Sequence, residues 1–428
     1  MSEDKFDVII VGAGLAGCTC AYLLARAGLE TLVIERGNFP GAKNMTGGRL
    51  YAHSLEGIIP NFAEEAPVER CIVHEKISFM DADRSTTMDY AAPAAADPAN
   101  RSYSVLRAKF DQWLAGRAES EGASIVPGIR VDDLIVRDGK VCGVVAAGEE
   151  MEADIVILAD GVNSILGEKL GMATKVTPHH CAVGVKEVIQ LSGQQINDRF
   201  GCADNEGTAW LFAGFPSDGQ MGGGFIYTNE DTLSLGLVFG LHNIGQAGKS
   251  VPQMLEDFKN HPTVRPLVEG GRQVEYSGHV VPEGGLAMVP KLAGDGVMIV
   301  GDAAGLCLNA GYTVRGMDLA IASGEAAAKA AIAARDMGDF SENGLAAYPS
   351  GLQSSFVMQD LQLYRNLPGF LDNPRMYNEY PQLATGIMND LFTINGPSRP
   401  LRKMIMPHLR KVGFMNLLKD GFKGAKAI

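Results

Sequence analysis

A glycine triad, Gly12-Ala13-Gly14-Leu15-Ala16-Gly17, stands near the start of the chain between an apolar run, Phe6 to Val11, and a small-residue run, Leu15 to Ala27. The pattern reads as a buried parallel strand, a tight turn and a helix, followed by a second strand from Thr31 to Ile34 that ends in Glu35. Each glycine answers a separate steric demand. Gly12 permits the tight turn, Gly14 lets the backbone approach a pyrophosphate, and Gly17 lets helix and strand pack closely. Glu35, 18 positions after the last glycine, is placed to accept from ribose hydroxyls. The helix opening at Leu15 turns its positive end toward the same pyrophosphate. A G-x-G-x-x-G run alone also occurs in loops that bind no nucleotide, so it is the strand-helix-strand context that makes a dinucleotide site the expectation.

Two further glycine-acid pairs favour FAD over NAD. Asp160-Gly161 closes the apolar strand Ile155 to Ala159, and Gly301-Asp302 closes Gly296 to Val300. Both fall at the carboxyl ends of expected parallel strands, where doubly wound sheets bind their ligands. A stand-alone NAD domain needs neither. Asp302 suits a ribityl hydroxyl or a bridging water near the pyrophosphate, although either aspartate taken singly also fits a turn or a helix N-cap.

With 428 residues, 46% apolar and 20% charged, the chain can bury a sizeable core. The expected fold is α/β: a discontinuous nucleotide-binding domain at 1–75, 100–175 and 280–345, with an antiparallel substrate domain inserted at 76–99 and 176–279. A mostly helical extension occupies 346–428. Leu106 to Glu121 reads as a helix, Asp138-Gly139 as a hairpin turn, Leu233 to Leu241 as an alternating strand, and Arg315 to Ala334 as an alanine-rich helix. No signal peptide precedes the first strand, and no apolar run approaches the roughly 18 residues of a spanning helix. The expectation is a cytoplasmic protein. Seven cysteines include no C-x-x-C pair and no iron-sulfur or zinc spacing, so no metal site is expected. Cys18 and Cys20 read as space-filling residues beside the first helix. Cys307 lies in the loop after Asp302 and reads as a small packing residue or, alternatively, as a neighbour of the flavin.

Net charge is −13, yet residues 399–428 carry eight Lys or Arg against Asp420 alone, a local +7 that leaves −20 on the rest. Leu409, Val412, Met415, Leu418 and Phe422 recur there at helical spacing, interrupted by Gly413 and Gly421. A basic, amphipathic tail is a candidate contact surface for a membrane leaflet or an acidic protein, with a solvated face as the plainer reading.

Several stretches, GAKNMTGGRLYAHSLEGIIP, RSYSVLRAKFDQWL, VILADGVNSILGEKLGM, MGGGFIYTNEDTLSLGL, VGDAAGLCLNAGYTVRGMDLAI and PGFLDNPRMY among them, resemble the electron transfer flavoprotein-quinone oxidoreductase family, on its short FixC-type branch. The resemblance spans essentially the whole chain, within the glutathione-reductase-type flavoprotein superfamily. It implies FAD held by Gly12, Ala13, Gly14, Ala16, Gly17, Glu35 and Arg36, by Arg107 at a helix start, and by Val131 through its backbone beside the adenine. It also implies contacts from Ala159, Asp160, Gly161, Gly301 and Asp302, with Gly47 and Gly48 approaching the isoalloxazine. Gly222 and Gly223 occupy the position of a glycine pair whose amides bind a quinone carbonyl in such proteins, and Met221 stands where a tyrosine is common. The longer members continue into a cysteine-rich iron-sulfur domain that this sequence lacks. A ferredoxin-like subunit is the implied source of the cluster, and the basic tail is its implied dock. Electron transfer flavoprotein subunits, a quinone and the inner face of the cytoplasmic membrane complete the implied partners, and nothing points to nucleic acid.

The chemistry so implied is electron transfer through FAD, with no catalytic side chain named. Gly311, Thr313 and Val314 precede the helix read from Arg315, whose positive end would stabilise negative charge on a reduced ring. Arg315 either adds to that or pairs with Asp318 or Glu325. His53, His179, His180 and His279 carry no distinguishing spacing. An isoprenoid double-bond reductase of the geranylgeranyl reductase type shares Gly-Asp-Ala-Ala-Gly and remains an enzyme alternative. An aromatic monooxygenase usually carries His and Pro soon after the second Gly-Asp, where this chain has Gly305-Leu306-Cys307. A non-catalytic hub with a dormant flavin is the third reading.

Overall fold

A computed structural model describes residues 5–43, 48–173 and 175–427. Its first sheet is parallel along Val297–Ile299, Glu149–Leu158, Phe6–Val11, Thr31–Glu35 and Ser124–Pro127, in that spatial order. The apolar runs in these strands are buried on both faces, as helix-covered parallel strands must be. From Phe6–Val11 the chain winds outward one way to Thr31–Glu35 and Ser124–Pro127, then returns on the other side through Glu149–Leu158 and Val297–Ile299. The winding direction therefore reverses between Val11 and its partner Leu158. Such a reversal opens a crevice at the strands' carboxyl ends, just where the glycine triad and Asp160 lie. The hairpin Val131–Arg137 with Lys140–Ala146 turns through Asp138 and Gly139, both at positive φ, the geometry that suits a two-residue loop.

Two helices cover this crevice. Leu15–Arg26 packs against Met317–Met337 through small residues, and a side chain at Gly324 would overlap the Ala16 carbonyl oxygen. Cys18 and Cys20 are fully buried in this layer, and all seven cysteines are free thiols.

The second sheet has nine strands, ordered Arg272–Pro282, Cys181–Gln190, Thr232–Gly240, Gly222–Thr228, Glu206–Gly214, Val68–Met80, Ser102–Val105 and Arg49–Tyr51, with Ser85–Ala91 beside Val68–Met80. The domain boundary expected at 75/76 lies inside Val68–Met80, and residues 49–51 and 102–105 belong to this sheet too. Their partners lie from tens of positions to more than a hundred away, so local pattern does not reveal them. The sheet is antiparallel except where Glu206–Gly214 runs parallel to Val68–Met80.

Beyond residue 346 the chain is helical. The tail forms Leu401–Val412 and Phe414–Ala427, broken at Gly413, whose φ of 88° ends the first helix; Gly421 is absorbed within the second. Asp420 anchors the second helix by accepting from Arg375 Nε at 2.6 Å, Arg375 Nη2 at 2.8 Å and the Tyr380 hydroxyl at 2.7 Å. This bidentate pair holds the Asp420 carboxyl well below the usual carboxylate range. Among the described residues no helix is long and apolar enough to cross a membrane.

Candidate functional site

Two cavities meet at the carboxyl end of the first sheet. The smaller, about 350 Å³, is lined by Gly12, Gly14, Glu35, Arg36, Val131, Ala159, Asp160 and Gly161. Gly12 has a φ of 106°, and a side chain there would overlap the Ala159 carbonyl oxygen; one at Gly17 would overlap the carbonyl oxygen of Gly12. Gly17 and Ala13 therefore shape the cavity without lining it. The Ala13 amide instead donates to Glu35 Oε2 at 2.9 Å, while Gly37 donates to Oε1. The helix beginning after Gly14 has no side-chain cap and no acid in its first turn, so its N-H groups are left for a ligand. Asp160 Oδ1 is buried with no partner, and burial lifts its carboxyl to about 6. An orphaned acceptor, an uncapped helix end and backbone too crowded for side chains form a cradle that fits a dinucleotide's pyrophosphate and sugar hydroxyls.

The larger cavity, about 510 Å³, shares Gly14, Ala159, Gly161, His279 and Asp302 with the first. Ala16, Arg107, Gly301, Gly311 and Val314 line it on the nucleotide side, with Gly48, whose missing side chain leaves room for the Tyr227 ring. Its far wall is the second sheet, with Met221, Gly222 and Gly223 flanked by Phe79, Leu211 and Phe225. Leu367, Phe370 and Tyr377 close it from the C-terminal extension. Asp302 stands at the junction, enclosed by protein; burial raises its carboxyl, opposed by Arg107. Arg107 is held at 2.7 and 2.8 Å by Asp111.

Some expected residues sit otherwise than their spacing suggests. Gly47 lies outside the described residues. Thr313 faces a small recess beside Tyr51 and Tyr227 instead of the main cavity, because Gly311 to Val314 form the tip of a short hairpin, Leu308–Asn309 with Val314–Arg315. Arg315 precedes the helix, which starts at Met317; of its two expected roles it takes the ion pair with Asp318, at 2.5 Å, and adds an unexpected one with Asp360 at 2.6 Å. His53 also bonds Asp318, at 3.1 Å. His179 stacks on His242, which contacts Asp372 at 2.7 Å, and none of the three lines either cavity.

Three cavity residues had no sequence signal of their own. His279 lines both cavities, and its imidazolium is disfavoured by burial and by Arg36 and Arg107. Glu283 follows the last strand of the second sheet. Tyr377 brings its hydroxyl to the Gly222 amide, which donates to it. The only hint was a lone polar residue beside apolar strand or glycine-proline segments.

Residues 5–194 match the family model described as an FAD binding domain, residues 181–281 that described as ETF-QO, ubiquinone-binding, and residues 367–428 the ETF-QO/FixC family C-terminal domain. Fold and cradle thus define an FAD-dependent oxidoreductase. Over the full length of both chains, the sequence is 62% identical to Protein FixC of Escherichia coli O157:H7 and 59% identical to the probable electron transfer flavoprotein-quinone oxidoreductase YdiS of Escherichia coli K12. The chain belongs to the ETF-QO/FixC family of electron transfer flavoprotein-quinone oxidoreductases. Among solved structures it is similar to a geranylgeranyl bacteriochlorophyll reductase-like protein from Thermoplasma acidophilum, with TM-score 0.73, 20% identity, and 98% and 99% of the two chains covered. The myxobacterial halogenase CndH follows at TM-score 0.62 and 16% identity, covering 99% and 91%. These two likenesses concern the fold alone.

Proposed function

We propose that the protein accepts electrons originating in a reduced electron transfer flavoprotein, by way of a ferredoxin-like iron-sulfur partner, and passes them to a quinone. The observation that carries this reading is the continuity of the two cavities. A dinucleotide cradle opens directly onto an apolar chamber walled by the Gly222–Thr228 strand, within the segment that matches a ubiquinone-binding model. Bound FAD supplies the chemistry of taking electrons singly and delivering them in pairs. In this reading Gly12, Gly14, the first-turn amides and Asp302 hold the pyrophosphate end, and Glu35, Arg36, Val131 and Asp160 hold the adenosine end. Gly48, Gly301, Gly311 and Val314 surround the ring. The Gly222 amide, shared with the Tyr377 hydroxyl, faces the acceptor. An anaerobic titration tests it: flavin reduced chemically should be reoxidised by a water-soluble quinone, while NADPH alone leaves the oxidised flavin unchanged. Rapid reduction by NADPH with indifference to quinone would place the protein with the double-bond reductases.

Membrane contact is part of the same proposal. Phe392, Ile394, Phe414, Met415, Leu418 and Phe422 are 47–85% exposed on the C-terminal extension, among the basic residues of the tail. Exposed apolar side chains interleaved with Lys and Arg suit an anionic lipid interface. The full chain should float with vesicles of anionic lipid and be released by about 0.5 M salt, since screening at that strength shortens the reach of charge to a few Å. Equal partition to neutral vesicles would remove the electrostatic half of the argument, and no flotation with either would remove the whole.

A further inference from the structure

A quinone that gains two electrons in an apolar chamber cannot keep two negative charges there, because unpaired charge is costly away from water. Its reduction therefore calls for a proton source inside the cavity. The candidate groups on the quinone side are few. Burial pushes the Tyr377 phenol and the Cys307 thiol well above their usual ranges, so each holds its proton too tightly to give it up. Cys181, behind them, is pushed to about 11. His279 lies where the two cavities meet and is disfavoured as a cation, so it carries no spare proton to give.

Glu283 differs. It follows directly on the Arg272–Pro282 strand, its backbone fixed by its N–H donating to the His180 carbonyl oxygen at 2.8 Å. Asn309 Nδ2 donates to its Oε2 at 3.1 Å. Asn309 is itself oriented, since its Oδ1 accepts from the Gly311 amide at 2.9 Å. One carboxyl oxygen is thus pinned. The surface that Glu283 retains belongs to the cavity it lines, together with Gly222, Gly223 and Tyr377. The groups around it, Cys181, Cys307 and Tyr377, are neutral at pH 7, and no cation is among the influences on its carboxyl. With burial uncompensated save by Asn309, its carboxyl is lifted to about 7. It can hold a proton at neutral pH and release it at little cost, the property a proton donor requires.

We propose that Glu283 is the proton donor for quinone reduction, a role that rests on the quinone reading above. As two electrons reach the quinone from the reduced flavin, the Glu283 O–H bond breaks and an O–H bond forms on the nearer quinone oxygen. The second oxygen takes its proton from water at the cavity mouth. The Glu283 carboxylate then recovers a proton from solvent, and because the reduced flavin sheds its own N–H proton as it is oxidised, the half-reaction takes up fewer than two protons net. The Tyr377 hydroxyl, whose oxygen accepts from Gly222, keeps its own hydrogen to orient the quinone oxygen and acts as a positioning residue.

The test uses the full-length holoprotein, wild type and Glu283→Gln, which preserves shape and an acceptor for Asn309. Each is reduced anaerobically, then mixed in a stopped-flow instrument with either a short-chain ubiquinone analogue or ferricenium, a one-electron acceptor that takes no proton. Glu283→Gln should be reoxidised about 100-fold more slowly by the quinone. Its rate should also lose the wild-type decline above about pH 7, where Glu283 surrenders its proton. Ferricenium should oxidise both proteins equally, and Glu283→Asp should recover part of the quinone rate. Unchanged quinone rate and pH profile in Glu283→Gln would overturn the proposal, as would equal slowing with ferricenium, which reports damage to the flavin site. If even the wild type reacts with ferricenium and ignores quinone, the quinone reading itself fails.

Discussion

Gly17→Val is expected to purify as a folded protein with a clearly lowered FAD content. A side chain at residue 17 would overlap the carbonyl oxygen of Gly12, which is backbone and cannot swing aside. The helix cannot retreat either. On its opposite side the Ala16 carbonyl lies against Gly324 of the Met317–Met337 helix, so closely that a side chain there would overlap it. Gly12, at φ 106° beneath the Ala159 carbonyl, has no slack to offer. The helix end must therefore tilt from the crevice, taking its first-turn amides from the pyrophosphate. Overpacking of this kind costs about 1–3 kcal/mol. Spent at the binding site, that lowers FAD affinity by about 10- to 100-fold, at about 1.4 kcal/mol per factor of ten. The ratio of flavin to protein absorbance after gel filtration measures it, with far-UV circular dichroism as the check on fold. Stoichiometric FAD would mean that the glycine triad is a structural turn and nothing more.

The glycine triad was legible because its demands are local: each glycine is fixed by atoms in neighbouring elements of one βαβ unit, and the apolar runs around it carry their own periodicity. The strand ends at Asp160 and Asp302 were legible for the same reason, as apolar stretches that stop at a glycine and an acid. Legibility failed where partners are distant in sequence. Arg49–Tyr51 falls within the stretch 1–75 expected for the nucleotide-binding domain, yet it pairs with the Ser102–Val105 strand in the second sheet. For Arg315 the pairing with nearby Asp318 is legible, whereas Asp360, 45 residues on, which holds another of its nitrogens at 2.6 Å, is not. Glu283 and Tyr377 belong to different parts of the chain and acquire meaning only when the C-terminal extension closes over the strand end. No periodicity marks either one. Met221 offers the strand no hydroxyl, while Tyr377 brings one to the next residue's amide from a segment 155 positions away.

Gly223→Val should keep its FAD and lose quinone turnover by about 100-fold. Gly223 stands in the second sheet, opposite Val238, whereas the pyrophosphate cradle is built from the first sheet, so the cofactor's hold is separate from the strand's integrity. Within that strand the space is tight. A side chain at 223 would overlap the Phe212 carbonyl oxygen, one at 224 would strike the Phe258 ring, and Gly222 has a φ of 145° that a branched residue resists. Valine must therefore push the strand into the chamber, at about 1–3 kcal/mol, and it displaces the Gly222 amide that meets the Tyr377 hydroxyl. A strained sheet lowers turnover for reasons unrelated to quinone, so Tyr377→Phe separates the two causes. It removes a hydroxyl without adding volume, leaves the strand unstrained, and should cost about fivefold in quinone rate through loss of one hydrogen bond, about 1 kcal/mol. Steady-state assays of both variants with a quinone and with ferricenium decide the matter. Wild-type quinone rates in both would exclude the Gly222–Thr228 strand as the quinone wall. Selective loss with quinone alone, graded from Tyr377→Phe to Gly223→Val, places the acceptor between the second sheet and the C-terminal extension.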